Sequence, residues 1–192
     1  MMRSWLLVLA VLVAAGCGSA HAPRLYTLDA AVPGGAGSAD SSLSVYIGAV
    51  VVPESVDRPQ LMVRTGASEV APVDGHRWAE PLKVAIGRVL AAKLSRDLGT
   101  PRVGAYPGTA LADAAYRVQV EVQRFESMLG REVTLEAVWS VRRIATHATV
   151  SGRTIVSEAV ASNYEALAAA HGRALDPLSR DIAAAIRKLE SG

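Results

Sequence analysis

The chain has 192 residues and a formal net charge of +2, from 20 basic and 18 acidic side chains. These charges are interspersed and no nucleic-acid motif occurs, so the pattern does not support nucleic-acid binding. Hydrophobic residues make up 51 % of the chain with only one phenylalanine and one cysteine, so Val, Leu and Ile must form most of the core and no disulfide can form within the domain.

The N-terminus has the anatomy of an export signal. A short basic start at Arg3 is followed by an apolar run over residues 5–15, small residues and then Cys17. At about 1.5 Å per residue the apolar run is too short for a hydrocarbon core of roughly 30 Å. A cysteine directly after the small residues resembles a bacterial lipoprotein signal. Plain secretion and a retained, uncleaved anchor are the alternatives.

The lipoprotein interpretation predicts how the chain is divided. Residues 1–16 form the signal peptide, residues 17–23 a tether lipidated at Cys17, and residues 24–192 one domain. In lipoproteins generally, an aspartate after the cysteine commonly keeps the protein in the inner membrane. Here Gly18 occupies that position, which predicts the periplasmic face of the outer membrane.

The first half of the domain predicts several strands. Residues 24–28 read as a short strand, and residues 43–52 as a strong one that is apolar on both faces and therefore central in its sheet. Residues 61–64 and 69–72 are predicted to form a hairpin, and residues 102–106 another short strand.

One helix is predicted between these strands, beginning at Pro81 and ending at Leu98 before Gly99. Its expected buried face consists of Leu82, Ile86, Val89, Leu90 and Leu94. Three basic residues are expected to point away from that face: Arg88, Lys93 and Arg96.

A second helix is predicted over residues 163–190, where apolar residues keep one stripe. His171 lies on that stripe, which predicts a packed, neutral histidine. Pro177 interrupts the pattern without changing its phase. This predicts a kink near residues 173–176, or two abutting helices.

Between the helices, three successive alternating runs predict an antiparallel meander over residues 116–127, 132–143 and 154–160. Phe125 is out of phase with the first run, so a β-bulge is expected at residues 123–124. The predicted fold class is α/β of an α+β-like kind: a single domain with a mixed, mostly antiparallel sheet of about five to seven strands and two main helices packed on it.

No motif indicates catalysis or a bound cofactor. The four histidines lack metal-ligand spacing, and neither a glycine-rich phosphate loop nor a Gly-x-Ser-x-Gly motif occurs. Glu132 and Glu136 alternate with apolar residues, as expected for the solvent face of a strand. We therefore expect no catalytic residue, no metal and no cofactor.

One cluster is a candidate partner interface. It combines Asp57 and Arg58 in a loop pinned by prolines with Arg77, Trp78 and Glu80 at the expected entrance to the first helix. Arginine and tryptophan are common interface anchors. The alternative, which the residue types favour, is a tryptophan that closes the core, with Arg77 and Glu80 in solvent.

Several segments together resemble the ABC-type transport auxiliary lipoproteins, the PqiC-like family. The segments are Arg24-Leu25-Tyr26-Thr27-Leu28, Asp57-Arg58-Pro59-Gln60-Leu61, Arg77-Trp78-Ala79-Glu80-Pro81-Leu82 and Leu178-Ser179-Arg180-Asp181-Ile182-Ala183. The likeness covers nearly the whole mature chain. Ala14 before the cysteine and Pro177 in the last helix depart from the pattern.

The resemblance implies a non-enzymatic lipoprotein at the outer membrane that works with an MCE-domain protein of a lipid-transport system. By docking a partner that spans the periplasm it would maintain envelope integrity. It also implies self-association, for which a ring is one form. The alternative expectation is a free-standing envelope lipoprotein that binds a small apolar ligand or peptidoglycan.

Overall fold

The computed structural model describes residues 22–28, 43–111 and 113–191. This part of the chain forms eight strands and two helices. In chain order they are β1 (Arg24–Tyr26), β2 (Val45–Ile47), β3 (Gln60–Arg64), β4 (Val70–Trp78), α1 (Leu82–Leu98), β5 (Val103–Ala105), β6 (Tyr116–Met128), β7 (Glu132–Arg143), β8 (Thr149–Ala159) and α2 (Tyr164–Ser191).

The larger sheet has five strands in the order β5-β2-β6-β7-β8. Strands β6, β7 and β8 pair antiparallel in succession, which confirms the predicted meander. Alternate residues of β6 are buried from Tyr116 to Val122, and the register then shifts between Val122 and Arg124. This bulge confirms the expected one and returns Phe125 to the buried face.

The smaller sheet has the order β1-β4-β3. The predicted hairpin is present as β3 and β4, but β4 continues to Trp78, so the segment before the first helix is strand. Strand β1 pairs parallel with β4, and Leu25 lies opposite Arg77. Arg64 of β3 donates a hydrogen bond of 2.7 Å to Glu126 of β6, which ties the two sheets together.

Strand β2 is shorter than the predicted strand over residues 43–52. Val45 and Ile47 are fully buried, but Val50 is 5 % exposed and Val51 is 58 % exposed. The alternation therefore changes phase after Ile47, so the prediction that every second residue up to Val51 shares one face is wrong. The expected central position is confirmed, because β2 pairs with β5 on one side and β6 on the other.

The two helices pack against each other, and α2 also packs on β7 and β8. The predicted face of α1 is buried throughout, and Gly99 ends the helix in the left-handed conformation at φ +67°. Helix α2 continues through Pro177 as one helix of 28 residues. It is therefore not two abutting helices. The α+β fold class with two main helices is confirmed, with the strands divided between two sheets.

Candidate partner interface

The five predicted interface residues lie on two segments that a backbone hydrogen bond holds together. The loop that contains Asp57 and Arg58 leads into β3, while Trp78 ends β4. The backbone N–H of Trp78 donates to the carbonyl oxygen of Pro59 at 2.8 Å. The loop and the end of β4 are therefore neighbours, as the proposed cluster requires.

The two acidic members of the cluster contact the first turns of α1. Lys83 pairs with Asp57 at 3.2 Å, and Arg88 pairs with Glu80 at 2.6 Å. Ion pairs as exposed as these contribute only about 0–1 kcal/mol. A partner that offers its own cations can therefore compete for both carboxylates at little cost.

The two basic members, Arg58 and Arg77, are exposed. Within the described residues neither guanidinium forms an ion pair or a side-chain hydrogen bond. Each therefore presents its donors to solvent, next to carboxylates that are held only by weak pairs.

Trp78 has a different environment from the other four. Only 7 % of its surface is exposed. Its ring packs in T-shaped geometry against the rings of Phe125 and His171, at centroid distances of 6.3 and 6.2 Å. This burial matches the alternative in which the tryptophan closes the core. Of the five predicted residues, Asp57, Arg58 and Arg77 are exposed and Glu80 is partly exposed.

His171 lies behind Trp78 and is fully buried. Its ring stacks on Phe125 at 3.9 Å, and its Nε2 shares a hydrogen bond of 2.8 Å with the Ser127 hydroxyl. Its Nδ1 has no partner among the described residues. Burial lowers the pKa of His171 to about 3, so the ring is neutral, as the apolar stripe predicted.

A buried cation joins the two helices, and the prediction that Lys93 points away from the core is wrong. Lys93 is 3 % exposed and pairs with Asp176 of α2 at 2.6 Å. Burial acts to raise the pKa of Asp176, but the hydrogen bond and charge of Lys93, helped by Arg96, hold that pKa below its usual value. The signal was available, since Lys93 is four residues after Val89 on the buried face of α1.

Glu136 also differs from its expected place on a solvent face. It is buried on β7 and pairs with Arg153 of β8. The cross-strand pair therefore gives this buried carboxylate a cationic partner.

A groove of about 960 Å³ lies between β1 and the start of α2. Tyr26 and Tyr164 line it and flank His76. The Tyr26 hydroxyl and Nδ1 of His76 share a hydrogen bond of 2.7 Å, and the Tyr164 ring lies 4.1 Å from the His76 ring. Asn163 caps α2 by accepting a hydrogen bond of 2.7 Å from the backbone N–H of Ala166. Both tyrosines that line the groove, Tyr26 and Tyr164, therefore have a fixed neighbour in His76.

In the described ranges no three His, Cys, Asp or Glu side chains are grouped so that they could hold a metal ion. No helix there is both long and apolar enough to cross a membrane. Cys17, the signal peptide and most of the tether lie outside the described residues.

The fold and surface define a two-sheet α+β domain whose conspicuous polar feature is a charged surface patch. The chain belongs to the family of the ABC-type transport auxiliary lipoprotein component, whose family model matches residues 26–183. This confirms the resemblance and supports a role as a transport-associated lipoprotein.

Two solved structures share the fold. An uncharacterized protein is 17 % identical with a TM-score of 0.70, covering 86 % of this chain and 99 % of its own. Protein XCC0632 from Xanthomonas campestris is 19 % identical with a TM-score of 0.67, covering 88 % of this chain and 98 % of its own. The PelC dodecamer from Paraburkholderia phytofirmans is more distant, at 11 % identity and a TM-score of 0.46, covering 75 % and 92 %. No curated protein matches the chain.

Proposed function

We propose that this chain is a non-enzymatic component of an MCE/ABC-type lipid-transport system. Lipid on Cys17 holds it to the periplasmic face of the outer membrane, where it docks an MCE-domain partner and so maintains envelope integrity. Membership of a family of transport auxiliary lipoproteins supports the transport role. The order of basic start, apolar run and cysteine supports the lipid anchor.

The observation that carries the docking proposal is the pair of exposed arginines, Arg58 and Arg77, beside Asp57 and Glu80. Arginine is enriched among residues that dominate binding energy, because its planar group donates several hydrogen bonds at once. The backbone hydrogen bond between the loop and β4 fixes the two segments relative to each other. A partner therefore meets donors and acceptors that are already positioned, which lowers the entropy cost of binding.

Co-purification of the protein with a co-expressed MCE partner tests docking. Arg58→Ala and Arg77→Ala should each weaken the complex about tenfold, corresponding to about 1.4 kcal/mol, while the thermal melt stays unchanged. Arg131→Ala is the matched control, because Arg131 is also exposed but lies in the β6–β7 turn. Equal affinity for all four proteins, or no complex between two folded proteins, would argue against this docking surface.

We also propose that the protein self-associates, as the family resemblance implied. Light scattering of the purified, detergent-solubilised chain tests this directly. A single species with the mass of one chain, across the concentrations at which the partner binds, would refute it.

A further inference from the structure

An apolar side chain stands exposed at the start of the described domain. Leu25 of β1 is 62 % exposed. Its neighbour across the sheet is the exposed Arg77, with which it is in direct register, and Arg24 precedes it in the same strand. Side chains alternate along a strand, so Leu25 and Arg77 share one face of the sheet and Arg24 lies on the other face of the edge strand β1.

The same end of the molecule carries the aromatic groove. Residues 24–27 line it together with the start of α2. Tyr26 and Tyr164 each have an apolar ring and a polar hydroxyl, a combination favoured where one side is hydrocarbon and the other water. Glu165 also lines the groove, so its lining holds one cation, Arg24, and one carboxylate.

The tether limits how far this end can lie from a membrane. Seven peptide steps join Cys17 to Arg24, and a fully extended chain of that length spans at most about 25 Å. Helix α2 starts at the groove and is 28 residues long, or about 42 Å. If Cys17 carries lipid, the groove end is held near the bilayer while the far end of α2 need not be.

We propose that the groove end lies on the phospholipid bilayer, with Leu25 inserted among the headgroups and Arg24 and Arg77 against their phosphates. The inference rests on the lipid anchor of the proposed function. An exposed leucine on an edge strand with a cation on each face suits this surface, because insertion removes the leucine from water while the arginines meet anionic phosphate. In this placement the partner contacts Asp57, Arg58 and Glu80, and Arg77 lies at the boundary between the bilayer and the partner.

The full-length lipidated protein in phosphatidylethanolamine/phosphatidylglycerol vesicles tests this. Cys17 is the only cysteine and its thiol is consumed by lipid, so one introduced cysteine accepts an NBD fluorophore at a single place. Leu25→Cys is the reporter. Ile144→Cys is the control, because Ile144 is 38 % exposed and follows β7 at the end opposite the β6–β7 turn.

That turn lies at the groove end, since the Val160 backbone N–H donates to the carbonyl of Arg131 at 2.9 Å and Ser162 lines the groove. Strand β7 has 12 residues, which places Ile144 about 40 Å from that end. The two labels therefore sample opposite ends of the molecule.

NBD at residue 25 should emit at shorter wavelength and be quenched about twofold by lipids spin-labelled near the headgroup, as expected for a group at 5–10 Å depth. NBD at residue 144 should remain unquenched. Arg24→Ala combined with the reporter at residue 25 should reduce the quenching.

Equal emission and quenching at residues 25 and 144, in protein whose mass shows lipid on Cys17, overturns the inference and leaves the proposed function standing. A shift at residue 25 that appears only after the MCE partner is added assigns this face to the partner and also overturns the inference. Protein with no lipid on Cys17 refutes the anchor and the inference together.

Discussion

Between pH 7.5 and pH 5, acid should destabilise this protein through one side chain, His171. An unfolded histidine has a pKa of about 6.5, whereas burial lowers the pKa of His171 to about 3 in the folded protein. Between these values the unfolded chain binds a proton that the folded chain does not. The stability that depends on a neutral His171 is therefore complete above pH 6.5 and is lost progressively as the pH falls toward 3.

The expected loss follows from the linkage between proton binding and folding. Each pH unit in this range removes about 1.4 kcal/mol, so the free energy of unfolding should fall by about 2 kcal/mol between about pH 7.5 and pH 5. Solvent cannot screen the charge, because His171 is fully buried against Phe125 and Trp78. Two carboxyl groups, Glu126 and Asp176, have pKa values lowered from ordinary values that already lie below pH 5, so the stability that they contribute is lost below the window from pH 7.5 to pH 5.

Urea unfolding followed by tryptophan fluorescence at the two pH values measures this loss, and Trp78 is itself a nearby reporter. In His171→Gln, which cannot titrate, the fall in stability should be smaller than in the parent protein by about 2 kcal/mol. His147→Asn is the control: His147 is exposed and has φ +60°, a conformation that asparagine tolerates. This control should keep the full pH dependence. Equal losses in the parent and in His171→Gln would refute the reasoning.

Four further substitutions test the core, the helix–helix ion pair and the anchor. Trp78→Ala should lower the free energy of unfolding by about 3–5 kcal/mol, and an unchanged thermal melt would contradict its place in the core. Asp176→Asn should cost about 2 kcal/mol, less than for a fully buried pair, because Asp176 is 31 % exposed. Lys93→Met should cost less than Asp176→Asn in the same melts, since it removes the buried charge itself; the opposite order would contradict this account. Cys17→Ala should lose metabolic palmitate label and leave an unprocessed or mislocalised chain with an unchanged circular dichroism spectrum, and palmitate on the variant would contradict lipidation.

The elements that the sequence predicted well are those whose pattern repeats over many residues. Helix α1 repeats its buried face over at least three turns, and the meander repeats its alternation of buried and exposed residues over several strand pairs. A single exception therefore cannot change the assignment of either element. Phe125 is informative for this reason, because one out-of-phase residue in a regular strand indicates a bulge. Strand β2 offered too few regular residues, and its apolar side chains on both faces hid the change of phase before Val50.

The polar contacts were harder to predict because their partners are distant in sequence. Lys93 pairs with Asp176, which lies 83 residues later in the sequence. The charge of a lysine, taken alone, predicts a solvent-facing side chain at that position. The candidate interface has the same problem: Arg77 and Trp78 are adjacent in sequence, but strand alternation places one in solvent and the other in the core. The sequence indicates the cluster. Which of its members are exposed and which are buried became clear only from the extent of β4 and its pairing with β1.

The register between Leu25 and Arg77 connects the two proposals. If Leu25 contacts the bilayer, Arg77 one strand away lies at its surface, and a partner that binds Arg77 together with Arg58 must approach along the membrane. Asp57 and Glu80, the other members of the proposed docking surface, pair with Lys83 and Arg88 of α1. Under the proposed function, a short tether would have a mechanical consequence, because it would hold the docking surface within reach of the lipids that the proposed partner transports. Inserting a flexible Gly/Ser segment between Cys17 and Arg24 should therefore leave partner affinity unchanged but impair lipid transfer in a reconstituted system. Unchanged transfer with an insertion long enough to release the groove end from the bilayer would show that this placement has no role.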